Sequence, residues 1–297
     1  MDRLFSARTK RIALVVLAVT LVALAGCSTG GNGGDGTPTA NQTTPEPTAE
    51  PTPEPTTTDE PSPPPESDID PAELAASHTA QIEAATSVTA GQQVQQRQVL
   101  DGNTSVGSQQ LLGYYDLENS IGLVNSSQTS QSQLGSVSSS AQQYTASNET
   151  FLRQNSTRLP EPQYSYDAEP YNMSQQPTPV NFTGIGWGQF YETWNPSLQS
   201  QGETEFQGET VEEYRAEGQN SLPYLSETLG NSFQEIDTIN ATTLVTDDGL
   251  ATYTVIQVSG TGTRGGEITT TFQFTVTGVN ETTVPEPAWL EQVNTTG

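Results

Sequence analysis

The sequence predicts an α+β domain in which an antiparallel sheet is packed by helices on one face. Three observations predict it. The chain's final third alternates apolar and polar residues at the period of half-buried strands, as in "EITTTFQFTVTG". "DIDPAELAASHTAQIEAATS" holds a helix start followed by apolar residues at helical spacing. A second helical pattern, "NSLPYLSETLGNSFQEI", lies between strand-like runs, so helices and strands are segregated rather than alternating.

The elements follow in order from the N-terminus. "MDRLFSARTKR" is basic, and "IALVVLAVTLVALAG" is an apolar run of 15 residues, Ile12 to Gly26. That run is short for a membrane span and suited to export, so residues 1–26 read as a signal peptide. It ends at Leu24-Ala25-Gly26-Cys27, which contains the chain's single cysteine. Small residues ahead of a thiol let a peptidase close on the backbone. The Cys27 thiol would accept a diacylglyceryl group and become the first residue of the mature protein. Two acyl chains anchor stably where one binds marginally. A lipid-anchored protein on the outer side of the cell membrane is therefore expected. No twin-arginine pair precedes the apolar run, and Lys10-Arg11 leaves the export route, Sec or Tat, open.

Residues 27–67 read as a tether. After Cys27 the segment is Gly-, Thr-, Pro- and Glu-rich and has no large apolar residue, so it cannot bury enough surface to fold. At ~3.1 Å per residue, a polyproline-like tether of that length reaches roughly 120 Å.

The charge balance constrains partners. The chain has 35 acidic and nine basic residues, a formal charge of −26. Asp2 and four of the basic residues precede Cys27, which leaves 34 acidic against five basic, or −29, with no lysine. No basic face exists to neutralise phosphates, which argues against nucleic acid. Self-repulsion of this size is screened in molar salt, where the Debye length is about 3 Å. The composition is that of a halophile's protein. Asn-X-Ser/Thr sequons begin at Asn41, Asn103, Asn125, Asn148, Asn155, Asn172, Asn181, Asn240, Asn280 and Asn294, ten of fifteen asparagines. That enrichment predicts N-glycosylation of several of them on an exported surface.

The body, residues 68–297, opens with the helix. Asp70 is its expected N-cap, with Pro71 at the first helical position and Glu73 in the first turn. Leu74, His78 and Ile82 share one face. Residues 92–165 read as weak strands separated by polar low-complexity sequence such as "NSSQTSQSQLGSVSSSAQQ". "GWGQFYETW" (Gly186 to Trp194) reads as a short helix, "GETEFQGETVEEYRAEG" as a hairpin or strand pair, and "VTDDGLATY" as a turn entering a strand. "ATYTVIQVSG" and "EITTTFQFTVTG" form a hairpin through "TGTRGG". Phe272, Phe274 and Val276 alternate with Gln273, Thr275 and Thr277, which puts one face on a core and leaves the other wet.

Several stretches occur together in order: the lipobox "LAGC", the Thr/Pro/Glu stalk, "HTAQIEAATSVTAGQQ", "GETEFQGETVEEYRAEG", "VTDDGLATYTV" and the ending "VTGVNETTVPEPAWL". In these the chain resembles haloarchaeal surface lipoproteins related to the LolA and LppX/LprG lipoprotein-carrier families. The resemblance implies a strongly curved antiparallel half-barrel closed by helices over an apolar cavity, which in the carriers holds acyl chains. A haloarchaeal cell has no outer membrane to receive cargo, so shuttling is not implied.

Little else points to chemistry. His78 is the sole histidine and lies on the apolar helix face, where packing is its expected role. One histidine and one acylated cysteine leave no set for a Ser-His or Cys-His triad or a Cys/His zinc site, so no enzyme, metal or cofactor is expected. "GTGTRG", Gly260 to Gly265, has dinucleotide-loop spacing but is followed by a strand, so it reads as a hairpin loop. Asp247 and Asp248 lack calcium-loop spacing. Trp187, Trp194 and Trp289 read as core aromatics. The expected function is a binding module for an apolar or lipid-like ligand. The alternatives are a surface structural or interaction protein without a small ligand and, behind both, a carboxylate-based hydrolase.

Overall fold

A computed structural model describes residues 68–133, 135–146, 149–167, 196–218 and 232–293. The chain enters through Asp68 and Ile69, which tie to Leu198: the Asp68 N–H donates to the Leu198 carbonyl at 2.8 Å, and Ile69 bridges Leu198. Helix α1 (Pro71–Ala84) follows, capped as expected. Asp70 is its N-cap, and its carboxylate accepts from the Ala72 N–H at 2.9 Å.

Eleven antiparallel strands then form one open sheet. They are β1 (Ser87–Leu100), β2 (Asn103–Asp116), β3 (Ile121–Ser132), β4 (Gly135–Ala146), β5 (Glu149–Ser156), β6 (Gln163–Asp167), β7 (Gln199–Phe206), β8 (Glu209–Gly218), β9 (Phe233–Val245), β10 (Ala251–Gly262) and β11 (Glu267–Thr277). Their order across the sheet is β6-β5-β4-β3-β2-β1-β11-β10-β9-β8-β7. The first six strands meander outward from β1. The chain leaves at one edge, re-enters at the other, and meanders back until β11 pairs with β1.

Tight turns explain the register. Leu100 pairs with Asn103 across Asp101-Gly102, and Phe206 pairs with Glu209 across Gln207-Gly208. All four loop residues have positive φ, from 51° to 90°, as type I′ turns require. The second of these turns is the centre of the expected "GETEFQGETVEEYRAEG" pair. The "TDDG" turn is also as expected: the Gly249 N–H donates to the Thr246 carbonyl at 2.9 Å, with φ 84° at Gly249. It docks on α1, because the Asp248 carbonyl accepts from Gln81 Nε2 at 2.9 Å.

Helix α1 covers the face of the sheet on which apolar residues alternate inward. Leu74 joins a cluster with Ile239, Ile256, Val258 and Phe274, and Ile82 joins a second with Val88, Ala90, Tyr115 and Val276. His78 lies between them on the helix, 1% exposed. After β11 the chain runs back over the opposite face. The Thr282 N–H donates to Ser87 Oγ at 3.0 Å, and Thr282 Oγ1 is 2.9 Å from Thr89 Oγ1. The strap ends in a 3-10 turn (Ala288–Gln292) whose Trp289 is buried against Tyr164, ring centroids 6.2 Å apart.

Three expectations are corrected. The fold is not α+β: the described residues are dominated by a single eleven-stranded sheet, with one α-helix and one 3-10 turn. The helix expected at "NSLPYLSETLGNSFQEI" fails at its end, because Phe233–Ile236 open β9. There Phe233, Ile236 and Ile239 are buried in the core cluster, and backbone pairing with β10 overrides the helical spacing. The rest of that segment, and "GWGQFYETW", lie outside the described residues. Third, "NSSQTSQSQLGSVSSSAQQ" does not separate strands; nearly all of it lies in β3 and β4, paired from Gly122–Thr145 to Ser132–Gly135. Strands paired on both sides need no apolar alternation to hold a ladder when both faces are wet.

Candidate functional site

The pleat assigns side chains to faces. On β1, Val88 and Ala90 point to the helix-bearing face, while Gly91 and Gln93 point to the other. Following the register outward, the second face carries Leu112, Asn125, Gln142 and Arg153 on β2 to β5, and Gln273 and Thr275 on β11. These six line a groove of about 520 Å³. It crosses six adjacent strands, five spacings or about 24 Å along the sheet. One concavity touching both β11 and β5 requires the sheet to curve toward this face. At its floor Gly91 allows close approach, since a Cβ there would meet Thr275 Oγ1 at 2.5 Å.

A hydrogen-bond relay fixes donors in the groove. Arg153 Nη1 donates to Gln142 Oε1 at 3.2 Å, and Gln142 Nε2 donates to Asn125 Oδ1 at 2.8 Å. The direction has no alternative, because a guanidinium can only donate. The Gln142 oxygen must accept, its nitrogen must donate, and the Asn125 oxygen must accept. Asn125 Nδ2 is thereby left as a donor, beside the remaining N–H groups of Arg153. Arg153 Nε is buried and has no hydrogen-bond partner among the described residues.

Charge is distributed unevenly around this site. No carboxylate lines the groove, and β1, β3 and β4 contain no acidic residue. Strands β7, β8 and β9 carry eight: Glu203 and Glu205, then Glu209, Glu212, Glu213 and Glu217, then Glu235 and Asp237. Arg215, at that acidic end, pairs with Glu213 at 2.6 Å. Arg153 instead lines the groove with neutral amides and hydroxyls, while Glu149, which accepts from the Tyr166 hydroxyl, lies farther along the same face. Beside the groove on the same face, Tyr144, Phe151, Tyr166 and Tyr164 form an aromatic row, with Phe151 and Tyr166 centroids 5.2 Å apart. Burial first, and then the Glu286 carboxylate of the strap, raise the Tyr144 phenol above its ordinary pKa.

Other sequence candidates lie elsewhere. His78 is buried on the sheet-facing side of α1, across the sheet from the groove, where desolvation lowers its pKa to about 4. Asp247 and Asp248 sit in the turn against α1, and no group of three or more potential metal ligands occurs among the described residues. The Gly260–Gly265 stretch runs from the end of β10 into the hairpin loop, with the Gly262 N–H donating to the Gly266 carbonyl at 3.0 Å. Asn125 and Asn155 line the groove, Asn125 half-buried and Asn155 exposed. Asn103 and Asn240 are exposed. Asn280 accepts from the Thr86 N–H at 2.7 Å. Cys27, Asn41, Asn148, Asn172, Asn181, Asn294, Trp187 and Trp194 lie outside the described residues. The groove was missed from sequence. The signal that could have found it is the repeat of Gln, Asn and Ser at every second position of β3 and β4.

The profile of a family of unknown function, DUF7537, matches residues 11–293. The chain belongs to that family. No curated protein matches it in sequence. Solved structures similar to this DUF7537 chain include LprF from Mycobacterium bovis, at 10% identity and a TM-score of 0.38, covering 73% of this chain and 97% of that one. A beta-barrel-like DUF1849 protein from Brucella abortus is similar at 6% identity and a TM-score of 0.23, covering 68% of this chain and 100% of that one. A LolA superfamily protein from Nitrosomonas europaea is similar at 9% identity and a TM-score of 0.19, covering 74% and 95%. Likenesses at these scores transfer no ligand or role to the DUF7537 chain.

Proposed function

We propose that this protein is a lipid-anchored surface protein of a halophile, with Cys27 holding the membrane, residues 28–67 as tether, and the sheet domain as a non-catalytic binding module. The observation that carries the binding role is the groove, lined by the Arg153–Gln142–Asn125 relay and of a volume within the roughly 300–1,000 Å³ range of ligand sites. The net charge supports the halophilic setting, and the Leu24–Cys27 stretch supports the anchor.

A second reading concerns the helix-bearing face. There Leu111, Val124 and Phe272 are only partly buried against the two core clusters, a surface suited to the apolar or lipid-like ligand that the family resemblance implies. One experiment separates the two. Native mass spectrometry of the mature protein from its host, kept in volatile salt, reads any co-purifying ligand. Adducts lost on Ser127→Trp, which fills the groove, support the first reading; lipid masses kept in that variant support the second. A bare protein mass, with no rise in melting temperature on adding envelope extract, refutes the binding role. A mature N-terminal mass lacking two acyl chains on Cys27 refutes the anchor.

A further inference from the structure

The geometry points to an acidic glycan, a polyhydroxylated chain bearing carboxylate or sulfate groups, as the class of ligand that the groove takes. This deepens the reading of the groove as the binding surface and rests on it.

Four features converge. The relay leaves donors and no carboxylate at its centre, so the complementary ligand group is an acceptor, best an anion, which a guanidinium meets with a charge-assisted hydrogen bond. In a chain of charge −26 an anion meets carboxylates over most of the surface; the groove lining holds Arg153 and none, with Glu149 and the strap's Glu286 beside the neighbouring aromatic row. On either side along the groove, Gln93, Gln110, Ser127, Ser140 and Gln273 present amides and hydroxyls, which can both donate and accept as sugar hydroxyls require. Leu112, 38% exposed in the same groove, offers the apolar contact that a sugar ring's C–H face needs.

The same geometry disfavours an acidic peptide. β1 to β5 and β11 are all paired on both sides, so no strand edge opens into the groove and strand addition is unavailable. Nucleic acid would need more than one cation to offset phosphate repulsion.

The test is calorimetric titration of the mature chain in 1 M potassium chloride, with tetragalacturonic acid and with its fully methyl-esterified form as probes. The acid is expected to bind saturably and roughly tenfold more tightly than the ester, the size of one charge-assisted contact. Arg153→Gln should bring the acid down to the ester's affinity. Gln142→Leu, which cuts the relay, should weaken the acid by less. No saturable binding of the acid, equal binding by Arg153→Gln, or equal affinity for a polyglutamate peptide would overturn the glycan assignment. If host-derived adducts are still lost on Ser127→Trp, the groove reading survives that failure. The glycan's source is read from Asn155→Gln on host protein: loss of groove occupancy identifies the chain's own N-glycan, and retained occupancy a separate polymer. An adduct whose mass carries neither uronate nor sulfate overturns the class.

Discussion

His78 makes the protein's stability depend on pH within a defined window. It is the sole histidine of the chain, 1% exposed on the sheet-facing side of α1, and desolvation lowers its pKa from 6.5 to about 4. The folded state therefore keeps the imidazole neutral, while the unfolded chain takes up a proton near 6.5. Stability is complete above that value and is lost as pH falls toward 4, because the unfolded state binds more protons there. From the two pKa values the loss is about 2 kcal/mol by pH 5 and about 3 kcal/mol by pH 4. Carboxylates titrate at the lower end of the same range, and in so acidic a chain their protonation relieves repulsion. The assay is therefore a difference: urea unfolding in 2 M potassium chloride at pH 7, 6 and 5, for the wild type and for His78→Leu. The wild type should lose about 2 kcal/mol more than the variant between pH 7 and pH 5. Parallel pH profiles would refute the assignment of a neutral, desolvated imidazole.

Other predictions concern packing. A Cβ at Gly113 would overlap the Tyr115 ring, which is 5% exposed, so Gly113→Ala should cost about 1–3 kcal/mol in chemical unfolding. In a Tyr115→Leu background that cost should fall, and an undiminished cost would point to backbone strain instead. Asp70→Ala removes the N-cap of α1 and should cost about 1 kcal/mol, read in the same way, with Asp70→Asn close to neutral. Trp289→Ala should cost about 3–5 kcal/mol and raise hydrogen exchange in residues 278–293, the strap that Trp289 pins to Tyr164. Unchanged exchange there would show the strap held by its Ser87 and Thr89 hydrogen bonds alone.

Much of the fold was legible where local chemistry decides alone. The Asp70-Pro71 helix start, the Leu74, His78 and Ile82 face, the Gly202–Gly218 strand pair, the "TDDG" turn and the Phe272–Thr277 alternation all rest on residues a few positions apart. Each was found where expected. The reading failed where neighbours in space outweigh neighbours in sequence. Phe233 and Ile236 sit at helical spacing, yet β10 supplies a pairing edge and a core cluster takes up their side chains. Ser136–Gln143 has the composition of a linker, yet it lies between β3 and β5, and the ladders on both sides hold it.

The candidate site shows the same division. The proposals of lipidation at Cys27 and of an extended tether rest on local sequence alone, because a signal and its linker are recognised without a fold. The groove was not readable. Arg153, Gln142 and Asn125 lie 11 and 17 residues apart along the chain and meet through strand register, which is set by turn length and pairing. What the sequence by itself determined is the charge, the turns and the alternation of the core strands, since each depends on composition or on bonds between near neighbours. Only the tertiary structure decided that polar runs are strands, that carboxylates gather on β7 to β9, and that one arginine faces a wet concavity. Those follow from which strands become adjacent, a property of the whole sheet.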